Sequence, residues 1–538
     1  MTRHPAPRRR RTARRLRATS AGMVTGLLVT GLLAAPARAQ SRTDTSPSPS
    51  PGAPIGTTAR TVGDARFAPG PCPKTPEPVA ELKGARCGTL TVPENRAEPN
   101  SKTIKLGVAI VPAATATPKA DPIVWLAGGP GDDAVGEAKM AIDGGLNRDR
   151  DVIFMSQRGT YSADPALLCP NVDEFNARVV GLEYDAPSTE RLHVEATKAC
   201  RDQLAGRGVD LSAYNDTQSA ADYEDLRAAL GVGQWNLYGI SYGTHLALAY
   251  MRLHPEGLRS VGIDGILPPS TSGSASTWSS FRQGVDGLFK ACADQPACNK
   301  RYPNLPATFE KLVNDLEAKP VTTTVTVPGS DKPVKVVIDG GTLVNWLTSA
   351  THTAEDVPRF IDELANGNPQ PIAQQWAGWR TNPKGIGLTS HGLSYGVFCS
   401  QWTPYESKDA ALQGGRKEFP SFPRSVQAQA PLLTFLHPDC AVWNIPAAAP
   451  STRDVTRSDI PTLALSGAFD AQTGADNGPY VARTLSKAKV VTVPYEPHVV
   501  FATSKCAQEI TASFFDNPSA PKTACLNTLQ PPEFDIAP

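Results

Sequence analysis

Two common metal-binding patterns are absent from the 538 residues of the sequence. No two cysteines have the C-x-x-C spacing of a zinc site, and no H-E-x-x-H segment occurs. After residue 39 there is also no stretch of 18 uninterrupted apolar residues. These absences argue against a zinc site of the usual kinds and against a membrane anchor beyond residue 39.

A surplus of basic residues is also missing once the N-terminus is set aside. The whole chain has 53 Lys and Arg residues against 52 Asp and Glu residues, a net charge of +1. Residues 1–39 contain nine arginines and no acidic residue, so residues 40–538 carry a net charge of −8. A mildly acidic body argues against nucleic acid or an anionic membrane surface as the main partner.

The N-terminal segment has the three parts of an export signal. Arg3 and the run from Arg8 to Arg17 are basic, Ala21–Ala35 is apolar, and Ala37-Arg38-Ala39 fits the rule for signal cleavage. The alternative is a basic arm followed by a core helix. The order of the three parts favours the first reading: residues 1–39 form a signal peptide, and the protein is secreted. There is no cysteine near the cleavage site, so a lipid anchor is not indicated.

The cysteines agree with export. An even number of cysteines behind a signal peptide favours disulfide bonds. Pairing of sequence neighbours is the simplest of many connectivities, none of which the sequence fixes. The neighbouring pairs are Cys72 with Cys87, Cys169 with Cys200, Cys292 with Cys298, Cys399 with Cys440, and Cys506 with Cys525.

The next segment, residues 40–70, is rich in Ser, Thr, Pro, Gly and Ala. This composition predicts a flexible linker or pro-region without a core of its own.

Strand-like runs alternate with helical patterns in the rest of the chain, which indicates an α/β fold with a mostly parallel sheet. The runs are Gly88–Val92, Thr103–Val111, Ile123–Leu126, Val152–Met155, Trp235–Tyr238, Ser260–Ile263, Thr462–Ser466 and Val490–Val493.

Nearly 200 residues separate the run that ends at Ile263 from the run that starts at Thr462, far more than one crossover requires. We therefore predict an α/β core in two parts, 71–267 and 460–538, interrupted by a large, mainly helical lid insertion at 268–459.

Gly239-Ile240-Ser241-Tyr242-Gly243 has the G-x-S-x-G pattern between a strand-like and a helix-like segment. A nucleophile elbow needs this context, because its tight turn leaves no room for side chains at the glycine positions and lifts the serine hydroxyl to the top of the sheet. The alternative is an ordinary strand-to-helix turn with a serine exposed to solvent. The pattern predicts Ser241 as a catalytic nucleophile.

A glycine-rich loop, Ala127–Gly131, follows the strand-like run Ile123–Leu126. It lacks the Lys-Ser/Thr pair of a P-loop and the G-x-G-x-x-G spacing of a dinucleotide site. We interpret it as an oxyanion loop, with the backbone N–H groups of Gly129 and Tyr242 as donors to a substrate oxygen.

These segments resemble a known family. Ala127–Gly131 resembles the H-G-G-P-G loop of proline iminopeptidase-like α/β-hydrolases, with Ala127 in place of His. Gln157–Thr160 resembles their D-Q-R-G segment, with Ser156 in place of Asp, and Gly239–Gly243 resembles their elbow.

Cys87–Pro93 and the cysteine-containing C-terminal region are similar to the secreted tripeptidyl aminopeptidases of actinobacteria. The resemblance covers about residues 85–530. It implies the α/β-hydrolase fold, a serine peptidase mechanism and aminopeptidase activity.

The acid and the base of a Ser-Asp-His triad should follow Ser241 in that order. The resemblance gives the role of acid to Asp470, which follows the strand-like run Thr462–Ser466, and Asp264 is the rival because it too follows an apolar run. His498 is the only histidine after Asp470. His245 follows Ser241 closely, but it lies on the helix that leaves the elbow.

The expected reaction needs no metal or cofactor. His498 acts as base and then acid, Asp470 orients it, and Ser241 forms an acyl-enzyme. The rivals to a peptidase are a secreted carboxylesterase or lipase with the same triad and a catalytically silent binding protein.

The resemblance implies release of tripeptides or N-terminal residues from peptides with a free N-terminus. The expected partner is therefore a peptide substrate, whose α-ammonium group needs a carboxylate near Ser241. The candidates are Asp132, Asp133, Glu355, Asp356 and Glu496.

Overall fold

The computed structural model describes residues 54–327, 332–382 and 387–537. The predicted signal peptide and residues 40–53 of the predicted linker lie outside these ranges. The strands in the described ranges are β1 (Arg60–Val62), β2 (Ala65–Pro69), β3 (Arg86–Pro93), β4 (Thr103–Val111), β5 (Ile123–Leu126), β6 (Val152–Met155), β7 (Ala163–Asp164), β8 (Trp235–Ile240), β9 (Leu258–Asp264), β10 (Val321–Thr326), β11 (Pro333–Ile338), β12 (Thr462–Gly467) and β13 (Ala488–Val493).

Helices cover both the sheet and the long segment between β9 and β12. They are α1 (Ala138–Asp143), α2 (Pro170–Arg178), α3 (Pro187–Gly206), α4 (Asp216–Leu230), α5 (Tyr242–Leu253), α6 (Ser274–Ala293), α7 (Pro296–Arg301), α8 (Leu305–Ala318), α9 (Gly340–Ala350), α10 (Val357–Ala365), α11 (Gln370–Thr381), α12 (His391–Val397), α13 (Ala410–Glu418), α14 (Arg424–Ala428), α15 (Leu436–Trp443), α16 (Asn477–Ala482), α17 (Val500–Thr503) and α18 (Lys505–Asp516). A π-helical turn, Phe398–Trp402, continues from α12.

One large sheet carries the fold. Its strand order is β1-β2-β3-β4-β6-β5-β8-β9-β12-β13, with β7 paired to β4. The strands from β6 to β13 in this order are parallel to one another, and the β1 to β4 side is antiparallel. The apolar strands β5, β6, β8 and β12 are buried along their whole length, as expected for parallel strands covered on both faces. The predicted α/β-hydrolase architecture with a mostly parallel sheet is confirmed.

The carboxyl ends of β5, β8 and β12 lie at the same edge of the sheet. In open α/β sheets, ligands bind outside this edge, because the loops that follow neighbouring parallel strands converge there. The loop Ala127–Gly131 follows β5, Ser241 follows β8, and Asp470 comes three residues after the end of β12. The topology therefore brings three segments that are distant in sequence into one region.

Helix α4 packs beside the helix that follows Ser241, and its two ends are determined by local sequence. The Asn215 side chain accepts a hydrogen bond from the backbone N–H of Gln218 at 3.1 Å, and Gly231 ends the helix in the left-handed conformation. At its first turn, Asp216 accepts a hydrogen bond from the Tyr242 hydroxyl at 2.5 Å. The N-terminus of α4 is thereby fixed beside the start of α5.

The predicted linker, 40–70, is wrong where the structure describes it. Residues 60–69 form β1 and β2, and β2 pairs with β3 in the main sheet. Ala65 and Phe67 alternate with Arg66, so that both apolar side chains enter the core while the arginine is exposed. The many small and polar residues around this short alternation concealed it.

Residues 268–459 are mainly helical and contain α6 to α15 together with a two-stranded antiparallel hairpin, β10–β11. The sequence analysis did not predict this hairpin. An aromatic cluster fills the interior, with Trp278, Phe281 and Phe309 buried together. Phe175 and Tyr184 belong to the same cluster, so the α2 region, which precedes Ser241 in the chain, packs with this insertion.

All ten cysteines form disulfide bonds between sequence neighbours, as the simplest connectivity predicted. The bond between Cys399 and Cys440 joins the π-helical turn to α15. None of the helices in the described part of the chain combines the length and the apolar character needed to cross a membrane.

The two disulfides within residues 268–459 should differ in their contribution to stability. Cys399 and Cys440 are 41 residues apart, whereas Cys292 and Cys298 are only six apart. Because a longer closed loop removes more entropy from the unfolded chain, replacing the first pair with serine should lower the free energy of unfolding by about 4 kcal/mol, against about 2 kcal/mol for the second. Denaturant titration of both variants measures the difference. Equal losses, or free thiols found by Ellman titration of the folded protein, would contradict this assignment.

Candidate active site

Ser241 occupies a tight turn between β8 and α5. Its backbone angles are φ 51° and ψ −122°, a sparsely populated combination for a residue with a side chain. A Cβ at Gly239 would overlap the carbonyl group of Gly243, and a Cβ at Gly243 would overlap the carbonyl group of Leu126. The Ser241 N–H donates to the Asp264 carbonyl oxygen at 2.8 Å, which ties the turn to the neighbouring strand. The strand, turn and helix of a nucleophile elbow are all present.

Asp470 and His498 form a buried hydrogen-bonded pair, with 2.9 Å between Asp470 Oδ2 and His498 Nδ1. Burial alone would raise the pKa of Asp470. The positive charge and hydrogen bond of His498, with the hydrogen bonds from Thr473, outweigh burial and lower that pKa to about 2. Burial opposes a charged imidazole, but the Asp470 carboxylate dominates, and the pKa of His498 is raised. The pair is therefore built to stabilise an imidazolium.

Thr473 belongs to the same network, although the sequence analysis did not single it out. Its hydroxyl lies 2.7 Å from Asp470 Oδ2 and 3.1 Å from His498 Nδ1, and its N–H donates to Asp470 Oδ1 at 2.8 Å. The Gln472 N–H donates to the same oxygen at 2.8 Å. These two bonds make an Asx-turn, in which an aspartate side chain accepts from backbone N–H groups two and three residues later. An aspartate just after a strand is a sequence signal for such a turn.

The loop after β5 lies against the elbow. A Cβ at Gly128 would lie 3.2 Å from Ser241 Cβ, and Gly129 has a φ of +103°, which favours glycine. The Gln157 side chain donates to the Ala127 carbonyl oxygen at 3.2 Å, which supports the loop from β6. Tyr242 is the first residue of α5, and the first N–H groups of a helix have no carbonyl partner within it. Gly129 and Tyr242 are thus both adjacent to Ser241.

A cavity of about 240 Å³, here called the serine cavity, opens beside Ser241. Residues 268–459 contribute much of its wall, including Phe398, Trp402 and Leu433. No carboxylate is among the described residues that line it. The other lining residues are Gly129, Pro130, Leu267, Pro268, Thr271, Ser272, Ser276, Thr277, Ser280, Thr389, Ser394, Leu432, Gln472, Thr473 and Asn477.

Of the five acids suggested for a substrate amine, Asp132 is bonded to the wall of this cavity. Its Oδ1 accepts a hydrogen bond from the Thr389 hydroxyl at 3.0 Å, and burial raises its pKa. Both carboxylate oxygens of Asp133 accept hydrogen bonds from other residues of the protein. Its Oδ1 accepts from the Ser156 hydroxyl at 2.8 Å, and its Oδ2 accepts from the Ser162 N–H.

The other three acids have different surroundings. Glu355 is exposed, and Asp356 pairs with Arg359 at 3.2 Å. Glu496 accepts a hydrogen bond from the Thr503 hydroxyl at 2.6 Å, although it precedes His498 by two residues. None of the three is among the residues that line the serine cavity.

The rival acid and the rival histidine have other partners. The Asp264 carboxylate accepts hydrogen bonds from the N–H groups of Val500 and Phe501 at 3.1 and 2.9 Å, and burial raises its pKa to about 6. His245 Nε2 lies 2.8 Å from Asp216 Oδ2, and both side chains are buried. Asp264 therefore holds the segment after His498 in place. His245 contacts the start of α4 through Asp216 and has no part in the Asp470–His498 pair.

Glu137 is a half-buried acid near the loop Ala127–Gly131, and sequence reasoning missed it. Trp125 Nε1 donates to Glu137 Oε2 at 2.6 Å. Burial, with the nearby negative charge of Asp132, raises the pKa of Glu137 to about 8. A glutamate at the start of a helix gives no signal of such burial, because the tryptophan beside it comes from β5.

An elbow serine, a buried Asp–His pair and two adjacent backbone donors at the edge of a parallel sheet define a class of enzyme. The chain is a serine hydrolase of the α/β-hydrolase fold. The family model described as alpha/beta hydrolase fold matches residues 121–296, which include Gly129 and Ser241. The family model described as TAP-like protein matches residues 429–525, which include Asp470 and His498.

Three relatives are similar over more than half of the chain. A tripeptidyl aminopeptidase of Streptomyces coelicolor is 23% identical over 436 residues, 76% of each chain. The serine protease Hip1 of Mycobacterium tuberculosis is 24% identical over 481 residues, 84% of this chain and 89% of the relative. Carboxylesterase B of the same species is 29% identical over 326 residues, 57% of this chain and 60% of the relative.

Proposed function

We propose that the protein is a secreted serine aminopeptidase, which releases tripeptides or other short N-terminal fragments from peptides with a free N-terminus. The observation that carries this proposal is the Asp470–His498 pair, which is bonded to Thr473 in the wall of the serine cavity. The rest of that wall comes largely from the insertion. A cavity whose wall comes largely from an insertion has restricted access, which suits the end of a chain better than its middle. The tripeptidyl aminopeptidase and the serine protease among the relatives favour a peptide over other acyl substrates.

In the proposed reaction, the Ser241 oxygen attacks the carbonyl carbon of the scissile peptide bond while His498 takes the proton of the Ser241 hydroxyl. The N–H groups of Gly129 and Tyr242 stabilise the negative oxygen of the tetrahedral intermediate. His498 then donates its proton to the leaving nitrogen, and water hydrolyses the acyl-enzyme with His498 again as base. Asp470 holds the imidazole orientation and offsets its positive charge.

Export is part of the proposal. The basic and apolar pattern of residues 1–39 supports a signal peptide that is cleaved near Ala39. The five disulfide bonds support a final location outside the reducing cytoplasm, because such bonds persist in oxidising compartments.

Cleavage should depend on the free amine of the substrate. We expect kcat/KM for a tripeptidyl anilide to fall by about a hundredfold when its N-terminus is acetylated, because the carboxylate that pairs with the ammonium group is then desolvated without a partner. Asp132 is our first candidate for that carboxylate, since its bond to Thr389 puts it beside the serine cavity. The measurement is kcat/KM for the free and the acetylated anilide.

Two amide variants sharpen this test. Asp132→Asn should bring the two kcat/KM values closer together by lowering the value for the free substrate. Asp356→Asn is the matched control, because that carboxylate pairs with Arg359 away from the serine cavity, and it should preserve the ratio. A ratio near one in the unmodified enzyme would refute aminopeptidase activity.

A carboxylesterase is the second candidate, and the similarity to carboxylesterase B favours it. The two functions differ in the acyl group that the serine cavity accepts. An esterase would hydrolyse a short acyl ester much faster than a tripeptidyl anilide at equal concentration, whereas the aminopeptidase should show the opposite preference.

A further inference from the structure

A second and larger cavity adjoins the serine cavity. It has a volume of about 570 Å³ and shares the lining residues Thr389 and Gln472 with the serine cavity. We call it the tryptophan cavity, because Trp376 and Trp379 line it. Ser241 lines only the serine cavity, so a substrate that reacts there and continues past Thr389 and Gln472 enters the tryptophan cavity.

The tryptophan cavity has a cationic and aromatic wall. The Arg380 guanidinium lies over the Trp376 ring, 4.4 Å from its centroid, and Arg380 forms no ion pair with any residue that the structure describes. Trp379 is 41% exposed although it is a large aromatic side chain. By contrast, the acid of this cavity, Asp173, already pairs with His391 Nε2 at 3.1 Å. The charge left for a ligand is therefore positive.

The position of His498 determines which part of a substrate belongs here. Gln472 lines the tryptophan cavity, and its N–H donates to Asp470 Oδ1 at 2.8 Å. Because Asp470 is in turn bonded to His498, the tryptophan cavity lies on the Asp470–His498 side of the site. The leaving nitrogen must also lie on that side, because His498 supplies its proton.

Size leads to the same assignment. An exopeptidase that releases a short fragment must hold a small acyl part and a leaving part of any length. The serine cavity is the smaller of the two, at about 240 Å³, and the tryptophan cavity reaches the surface at Trp379.

We propose that the tryptophan cavity binds the leaving segment of the peptide and prefers a segment with an acidic side chain, which Arg380 contacts, while Trp379 packs against the segment's apolar atoms. This inference rests on the proposed peptidase function and adds a preference for residues after the scissile bond. A carboxylate and a guanidinium form charge-assisted hydrogen bonds. The planar guanidinium of an arginine that is stacked on an indole ring is well placed to form them.

The test compares peptides that share one free N-terminal sequence and differ only after the scissile bond, with Glu or Lys in the leaving segment. We expect the unmodified enzyme to prefer Glu by about tenfold in kcat/KM. Arg380→Gln should bring this ratio close to one, and Trp379→Ala should raise KM for both peptides. The tripeptidyl anilide has no leaving segment, so its kcat/KM should stay within about twofold in both variants.

Arg483→Gln is the matched control, because Arg483 also stacks on an aromatic ring, Tyr480, but lines neither cavity. It should keep the Glu preference. Peptide cleavage with no Glu preference, or with a preference that survives Arg380→Gln, would overturn this inference and leave the proposed function intact. Cleavage of no peptide at all would overturn both.

Discussion

Ser241→Ala is expected to lower kcat by a factor of about 10⁶, the loss typical of removing a serine nucleophile that acts with a histidine base. The acyl-enzyme cannot form without the hydroxyl oxygen, and the oxyanion donors alone give only weak catalysis. The fold should remain, because the neighbouring glycines and the bond from the Ser241 N–H to the Asp264 carbonyl are backbone features that alanine keeps. Steady-state kinetics and thermal unfolding measure the two effects.

Ser276→Ala is the matched control for this variant. Ser276 lines the same cavity, but its hydroxyl donates to the Gly273 carbonyl oxygen at 2.7 Å. Its loss should change kcat only a few fold. A fluorophosphonate probe should label the control and the unmodified enzyme but not Ser241→Ala. Near-normal turnover by Ser241→Ala would place the nucleophile elsewhere.

Asp470→Asn should reduce kcat by a factor of about 10⁴, because an amide at this position favours the wrong imidazole tautomer and no longer offsets the imidazolium charge. The pH profile supplies a second readout. Asp470 raises the pKa of His498, so the acid limb of kcat/KM, where the base becomes protonated and inactive, lies above the ordinary value for histidine. In Asp470→Asn the residual activity should persist to lower pH.

Asp264→Asn distinguishes the two candidate acids. Asp264 accepts backbone hydrogen bonds from Val500 and Phe501, so its amide variant should lose stability and keep much more activity than Asp470→Asn. If Asp264→Asn instead caused the larger loss of kcat at an unchanged melting temperature, the roles of the two acids would be reversed.

Local patterns predicted the parts of the site that depend on neighbours in sequence. The elbow around Ser241 needs a strand, two glycines and a helix, and all of these are contiguous. The order of Asp470 and His498 after Ser241 follows from chain topology. The continuous apolar runs at Ile123–Leu126 and Thr462–Ser466 indicated buried parallel strands, and both runs lie in central strands of the sheet.

Features that depend on distant partners could not be predicted in the same way. Asp133 was a plausible ligand for a substrate amine until the fold brought Ser156 and Ser162 to its carboxylate. Glu137 shows the reverse, since its raised pKa arises from burial beside Asp132. The same holds for Thr389, whose place between two cavities depends on how the insertion packs against the loop after β5.

The pairing of β9 with β12 has a consequence for the synthesis of the enzyme. The whole insertion lies between these adjacent strands, and the hydrogen bond from the Val500 N–H to Asp264 joins residues 236 positions apart. A ribosome that has just completed the insertion has therefore made Ser241 but neither Asp470 nor His498. The nascent chain carries the proposed nucleophile without its proposed base until residue 498 has been made, so the proposed hydrolysis depends on the segment that follows the insertion.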